Sequence, residues 1–289
     1  MPEFNVGQGV ALSQMNAQVD RPIGMFDSGF GGLTVARSVI DLLPSEDLIY
    51  IGDTARYPYG PKPASEVRSY AIELATSLVR DFNAKLIIVA CNTAASVALG
   101  ELQSLLSVPV IGVVEPGAQA LVEATTNNRV AVIGTVGTIA SGAYESAVAG
   151  ASRSVLREVS LTATACPGFV EFVERDETSG QAVTELAEKL LAPIRKAGVD
   201  ALLLGCTHYP YLSAVISEVM GSGVKLINSA DATASEVRDV LIKNNISRSV
   251  KAEVKSSHEF YSSGDVKHFA ELGRRFLGPE LSLAKQWPK

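Results

Sequence analysis

Two cysteines stand in matching surroundings in separate halves of the chain. Ile87-Ile88-Val89-Ala90 runs into Cys91-Asn92-Thr93, and Leu202-Leu203-Leu204-Gly205 runs into Cys206-Thr207-His208. Each is an apolar, strand-like run that ends in a thiol followed by polar residues. In a parallel α/β unit the carboxyl end of a strand meets the amino end of the next helix, where unpaired N–H groups collect and ligands bind. A helix amino terminus also favours the thiolate, the reactive form of cysteine. A free thiol titrates near about 8.5, so modest stabilisation of one thiolate would keep both protonation states available around neutrality. Two thiols on opposite sides of one carbon could take a proton from one face and return one to the other, exchanging roles in the reverse direction.

His208 lies two residues from Cys206 and titrates near neutrality, so it can polarise that thiol or assist its protonation. Asp27 ends another apolar run, Ile23 to Phe26, and would bring a carboxylate beside a cysteine on a neighbouring strand. The turn that follows, Ser28-Gly29-Phe30-Gly31-Gly32, permits close backbone approach. It is not a complete dinucleotide fingerprint, because the third glycine would fall at Thr34, and no Gly-Lys-Ser/Thr follows to make a P-loop. Its plainer reading is a helix-opening turn capped by Asp27 or Ser28. Cys91, Cys166, Cys206 and His208 could in principle ligate zinc, but no C-x-x-C or H-x-x-x-H spacing supports a site, and no metal is expected. Cys166 precedes Pro167, lacks the following polar pair, and reads as a small buried hydrophobe. A cysteine hydrolase would use one thiol with a histidine base and leave the second without a role.

The elements that must position these groups alternate between short apolar runs and helical periods. Ile23–Phe26 and Leu48–Gly52 are strand candidates, separated by a helix with Ala36, Val39, Ile40 and Leu43 on one face. A loop carrying Tyr57-Pro58-Tyr59-Gly60-Pro61 leads to a helix over 64–82, the Cys91 strand, a helix over 93–106 and a strand over 109–113. After Glu115-Pro116 the cycle restarts: a strand over 130–133, a turn at 134–138, a helix towards Gly150, a strand over 155–163, helices over 169–174 and 180–191, and the Cys206 strand. A strand over 224–228, a helix over 231–243 and a last strand over 258–262 form a tail that could return to the first half. Such alternation predicts α/β architecture with parallel strands and right-handed crossovers. The halves read as two copies of one plan, with Cys91 matching Cys206 and the turn after Phe26 matching the turn after Ile133. The expected organisation is a flexible leader over 1–20, a first α/β domain over 22–114 plus 229–289, a second over 115–228, and an active site in the cleft between two pseudo-symmetric domains.

Composition narrows the class. The 289 residues are 47% hydrophobic and 19% charged, with a formal net charge of −6, an ordinary globular profile. No basic patch of the kind that neutralises phosphates is evident, so dedicated nucleic-acid binding is not expected. No apolar run approaches the roughly 18 residues of a membrane span, and the start lacks a signal-like segment, so the chain reads as cytoplasmic. Three cysteines do not make a disulfide framework.

The ordered motifs resemble a known family. Asp27-Ser28-Gly29 with Gly31-Gly32-Leu33-Thr34, then Gly52-Asp53, Pro58-Tyr59-Gly60, Cys91-Asn92-Thr93, Gly134-Thr135, Cys166-Pro167, Phe169-Val170, Val173-Glu174 and Gly205-Cys206-Thr207-His208-Tyr209-Pro210 are similar to those of the bacterial glutamate racemases of the aspartate/glutamate racemase family. The likeness runs from Pro22 to Phe276-Leu277-Gly278. It implies interconversion of L- and D-glutamate without pyridoxal phosphate or metal, supplying D-glutamate for peptidoglycan. It further implies that Cys91 deprotonates D-glutamate with help from Asp27, and that Cys206 deprotonates L-glutamate with help from Glu174 and His208. Glu174 is preferred to Glu171, one turn earlier, by its spacing from Cys166. Substrate contacts are expected from Asp27, Ser28, Tyr59, Gly60, Asn92, Thr93, Thr135, Thr138, Thr207 and His208, which are mainly hydroxyls, amides and backbone N–H groups suited to a compact dicarboxylate. An aspartate racemase and a non-catalytic amino-acid-binding protein remain open alternatives. So do a homodimer and a regulatory partner.

Overall fold

The computed structural model of the chain describes residues 19–248 and 256–288. Its strands form two sheets, every pairing of which is parallel. The first half runs β1 (Ile23–Asp27), α1 (Leu33–Leu42), β2 (Leu48–Gly52), α2 (Ala64–Arg80), β3 (Leu86–Val89), α3 (Asn92–Leu105) and β4 (Val110–Gly112). The second runs α4 (Val114–Ala124), β5 (Arg129–Gly134), α5 (Val136–Ala140), α6 (Ala143–Ser154), β6 (Ser160–Ala165), α7 (Phe169–Glu174), α8 (Gln181–Ala197), β7 (Ala201–Gly205), α9 (Ser213–Met220) and β8 (Lys225–Asn228). The tail contributes α10 (Ser229–Lys243), β9 (His258–Ser262), α11 (Val266–Leu277) and β10 (Lys285–Gln286).

The six-stranded sheet has the order β10-β9-β2-β1-β3-β4, and the four-stranded sheet the order β6-β5-β7-β8. Set beside each other, β2-β1-β3-β4 and β6-β5-β7-β8 are one arrangement used twice, as the repeated sequence plan implies. β9 pairs with β2 from Leu48↔His258 to Gly52↔Ser262, so the tail does return to the first sheet. β1, β3 and β7 are buried at every residue, which explains why their sequences are continuous apolar runs rather than alternating ones.

Local departures from the expected elements have physical causes. The strand expected over 155–163 lies at Ser160–Ala165, because the preceding helix runs to Ser154 and Leu156 takes a positive φ of 53° before the chain can extend. α8 continues to Ala197 past Pro193 and ends at Gly198, whose φ of 64° suits a left-handed helix stop. The turn expected at 134–138 is mostly a short helix, with the Thr135 hydroxyl accepting from the Thr138 N–H. α11 and β10 add to the expected elements. Most of the leader, residues 1–18, lies outside the described residues. Its last two residues are tied down: Lys85 Nζ donates to the Val19 carbonyl at 2.6 Å, and Asp20 lies 3.6 Å from Arg248.

Candidate active site

In a parallel sheet ligands gather where neighbouring strands send their crossovers to opposite faces, which opens a crevice at the strand carboxyl ends. The shared strand order puts that point between β1 and β3 in one sheet and between β5 and β7 in the other. Asp27 ends β1 and Cys91 follows β3; Thr135 follows β5 and Cys206 follows β7. The two switch points face each other across one cavity of about 120 Å³, lined by both thiols together with Ser28, Tyr59, Gly60, Asn92, Thr93, Thr135, Thr207 and His208. That volume is small beside the roughly 300–1,000 Å³ of drug-sized ligand pockets, so a compact ligand fits.

Close approach of the halves depends on glycines in the first turn and the following loop. A Cβ on Gly31 would lie 2.2 Å from Thr207 Oγ1 and 2.6 Å from His208 Nδ1, and one on Gly32 would lie 2.6 Å from Asp27 Cβ. The glycine-rich turn therefore leaves room at Gly31 for side chains from across the cleft and at Gly32 for Asp27 beneath it. Gly137 N donates to the Gly60 carbonyl at 3.1 Å. The hydroxyls of Thr93, Thr135 and Thr138 form a triangle with sides of 2.9 to 3.2 Å that joins α3 to α5. Tyr144 donates to Asn92 Oδ1 at 2.6 Å and holds that amide from the second half.

Around Cys91, which caps α3, the Ser28 hydroxyl lies 3.6 Å from the thiol. Asp27 is buried, its Oδ2 accepting from the N–H of Gly32 at 2.8 Å and of Gly29 at 3.4 Å, while Oδ1 has no hydrogen-bond partner. It braces the turn from behind and is not part of the cavity wall. Around Cys206, His208 Nδ1 lies 4.0 Å from the thiol, and His208 Nε2 lies 3.9 Å from Glu174 Oε1. Glu174 thus stands behind His208, outside the cavity wall, whereas Glu171 lines it.

The electrostatics correct the expectation that one thiolate is at hand near neutrality. Burial pushes Cys91 up to about 12, with the negative charge of Asp27 adding to it, although the Ala94 N–H and Ser28 pull the other way. Burial likewise raises Cys206 well above the ordinary thiol value against the opposing amides of His208 and Tyr209. Desolvation therefore outweighs the helix-terminus amides at both thiols. His208 is pushed down by burial, opposed by Asp27 and Glu171, so its ring favours the neutral form. Burial raises the Glu174 carboxyl.

Two expected contacts also change character. The Tyr59 hydroxyl donates to Asp53, which Arg56 and Ser263 also engage, so Tyr59 offers the cavity its ring and backbone only. Thr138 is fully buried in the threonine triangle and reaches the cavity through Thr93 and Thr135. The lining also includes residues not expected as substrate contacts, among them Tyr57, Val136, Val170 and Tyr209. Tyr209 donates to the Cys166 carbonyl at 2.9 Å, and Cys166 lines the cavity as a buried thiol pushed up to about 12. The aromatic Tyr57-Pro58-Tyr59 string was the signal for Tyr57. Among the described residues no cluster of three or more His, Cys, Asp or Glu side chains is placed to hold a metal ion. Nor is any described helix long and apolar enough to cross a membrane.

Matched thiols at the switch points of two like sheets define a class, and comparison with known proteins agrees: residues 32–237 match the profile of the Asp/Glu/Hydantoin racemase family, to which the chain belongs. Within that family its likeness falls on the glutamate racemases. The glutamate racemase of Corynebacterium glutamicum is 48% identical over 267 residues, 92% of this chain and 96% of that protein. The crystal structure of a Bacillus anthracis glutamate racemase isoform superposes with a TM-score of 0.82 at 40% identity, covering 89% of this chain and 94% of that one. The Francisella tularensis glutamate racemase, solved with D-glutamate, superposes with a TM-score of 0.85 at 32% identity over 93% of this chain and 98% of that one.

Proposed function

We propose that this chain is a glutamate racemase, interconverting L- and D-glutamate by proton transfer between two thiols and supplying D-glutamate for peptidoglycan in the cytoplasm. One observation carries the reading: Cys91 and Cys206, from matched positions of two like sheets, line a single small cavity from its two sides. The α-carbon lies between them. Cys91 takes the proton of D-glutamate while Cys206 gives one, and the roles reverse for L-glutamate. Asn92, Thr93, Thr207 and the amides at the starts of the following helices hold the carboxylates. The domains are those of residues 22–114 plus 229–289 and residues 115–228, with the cleft between them as the site.

The raised thiols set a condition on this chemistry. Asp27, the charged group beside Cys91, is negative and opposes thiolate formation. The α-ammonium of the substrate is positive, and a cation at a few ångströms favours the thiolate. Binding therefore supplies the charge that creates the base, and the thiolate forms where its target is held. Asp27 in turn attracts the ammonium, and His208 with Glu174 assists on the Cys206 side.

The test incubates the protein separately with L-glutamate, D-glutamate and each aspartate enantiomer in deuterated water. The loss of optical activity and α-deuterium incorporation are followed together. Conversion of both glutamate enantiomers with one solvent hydrogen per product is expected. Turnover of aspartate but not glutamate would overturn the substrate assignment, and binding of glutamate without exchange would overturn catalysis.

A further inference from the structure

The surroundings of the two thiols differ in one respect that the racemase reading does not require. On the Cys91 side, Ser28, Asp27 and Tyr50 are all buried, Tyr50 donating to the Gly29 carbonyl at 3.2 Å. On the Cys206 side a file of polar groups leads outward: His208 Nδ1 at 4.0 Å from the thiol, then His208 Nε2 at 3.9 Å from Glu174 Oε1. Glu174 opens onto a second pocket of about 260 Å³, lined by Phe30, Thr54, Tyr57, Glu174, Asp265 and His268. Asp265 and His268 are solvent-exposed.

Tyr57 forms a wall of both the active cavity and this outer pocket. Its hydroxyl is buried without a hydrogen-bond partner, and so are Glu174 Oε1 and His208 Nε2. Three orphaned buried polar atoms in one place are costly unless they serve each other or a shared proton. Tyr57 and Glu174 are near enough to perturb one another's titration.

We propose, building on the racemase reading, that Cys206 exchanges its proton with solvent through His208 and Glu174 by way of the outer pocket. Tyr57 is a positioning residue: its hydroxyl, unpartnered at rest, closes on the Glu174 carboxylate across the wall of their shared pocket when the file lines up for transfer. After L-glutamate has become D-glutamate, Cys206 carries the proton it took and Cys91 is a thiolate. When the next L-glutamate arrives and its ammonium favours the thiolate, Cys206 Sγ passes its proton to His208 Nδ1, the ring releases its Nε2 proton to Glu174, and Glu174 gives one up to solvent in the outer pocket. Cys91 has by then taken one proton from solvent through the emptied active cavity. One proton leaves and one enters, and the ring returns to its starting tautomer by giving its Nδ1 proton to water in the emptied cavity and regaining one at Nε2 from the outer pocket. The file does not reach Cys91, so this outlet serves one thiol only.

If the outlet is slow, the proton on Cys206 is handed to the next substrate instead. The experiment mixes α-deuterated L-glutamate with heavy-carbon, α-protonated D-glutamate in ordinary water at saturating concentration and measures L-glutamate carrying both labels by mass spectrometry. That species arises only when deuterium lifted by Cys206 passes to a D-glutamate molecule on the same enzyme. The mirror mixture, deuterated D-glutamate with heavy-carbon L-glutamate, reports on Cys91. Tyr57→Phe keeps the ring that packs on Gly29 and removes only the hydroxyl. It should raise doubly labelled L-glutamate per turnover by roughly fivefold, the rate equivalent of one ordinary hydrogen bond, and leave the mirror product unchanged. Glu174→Gln should raise the same species at least as much. Label transfer is a ratio within turnovers, so a general loss of activity does not move it. An unchanged ratio in Tyr57→Phe, or an equal rise in both mixtures, would overturn the outlet while leaving the racemase reading standing. Absence of any conversion by the unaltered protein would overturn both.

Discussion

Gly31 offers the sharpest test of how the two halves build the site. Its backbone needs no left-handed conformation, so Gly31→Ala adds one methyl group and no strain in φ. That methyl would meet Thr207 Oγ1 at 2.2 Å, His208 Nδ1 at 2.6 Å and His208 Cε1 at 2.7 Å. Ordinary van der Waals contact begins at 3.4 Å, so the Thr207-His208 pair must retreat by up to 1.2 Å or the first turn must lift by as much. Either movement shifts His208 relative to Cys206 and widens the cleft. Overpacking of this kind costs about 1–3 kcal/mol of stability, which a two-sheet core of this size survives. The catalytic cost is larger, since a misplacement of about 1 Å costs on the order of 100-fold in rate. Gly31→Ala should therefore fold, melt a few degrees lower and racemise glutamate about 100-fold more slowly. Gly100→Ala is the control: nothing lies within 4 Å of its added methyl, and in the helix α3 it should be neutral or stabilising by up to about 1 kcal/mol. Circular dichroism serves for both assays, at the peptide band for melting and at the glutamate band for turnover. A Gly31→Ala enzyme with full kcat and a lowered melting temperature would refute the claim that this contact positions His208.

Cys91→Ser and Cys206→Ser should each lower kcat by about 100- to 10,000-fold with melting temperatures within a few degrees of the parent, because a hydroxyl replaces the acid–base group with a far weaker acid. Wild-type turnover by either variant would remove that thiol from the mechanism. Tyr144→Phe leaves the Asn92 carbonyl oxygen without its 2.6 Å donor in a buried place; a loss of about 1–3 kcal/mol and a raised KM for glutamate should follow, and an unchanged KM would show that Asn92 needs no bracing. Cys166, raised from 9.0 to about 12 by burial, has a folded value above its unfolded one. Its contribution to stability is thus complete below about pH 9 and lost as pH rises through about 12. In that window the folded protein should lose about 1.4 kcal/mol per pH unit on this account, and Cys166→Ala should show a correspondingly flatter pH profile of its urea midpoint. An identical profile would show that the Cys166 thiol titrates as freely in the folded chain as in the unfolded one.

The amino-acid order by itself determined the element plan and the chemistry available. β1, β3 and β7 announce themselves as unbroken apolar runs because both their faces are covered, and a cysteine at the end of such a run is a strand-end group wherever the strand lies. The internal repeat was legible for the same reason: the matched motifs are local, and the strand orders β2-β1-β3-β4 and β6-β5-β7-β8 follow from repeating one sequence of crossovers. The tertiary structure decided what depends on distance between segments remote in the chain. Glu171 and Glu174 share a helix and differ in sequence only by one turn, yet one lines the cavity and the other stands behind His208. Tyr59 turns its hydroxyl to Asp53, and Thr138 points into a threonine triangle, because the fold brings those partners within hydrogen-bond reach. The thiols follow the same logic. A helix terminus next to a cysteine can be read from its neighbours, whereas desolvation is the sum of everything packed around the sulfur. Only the assembled halves supply that, and their burial places Cys91 and Cys206 above the values their local motifs favour.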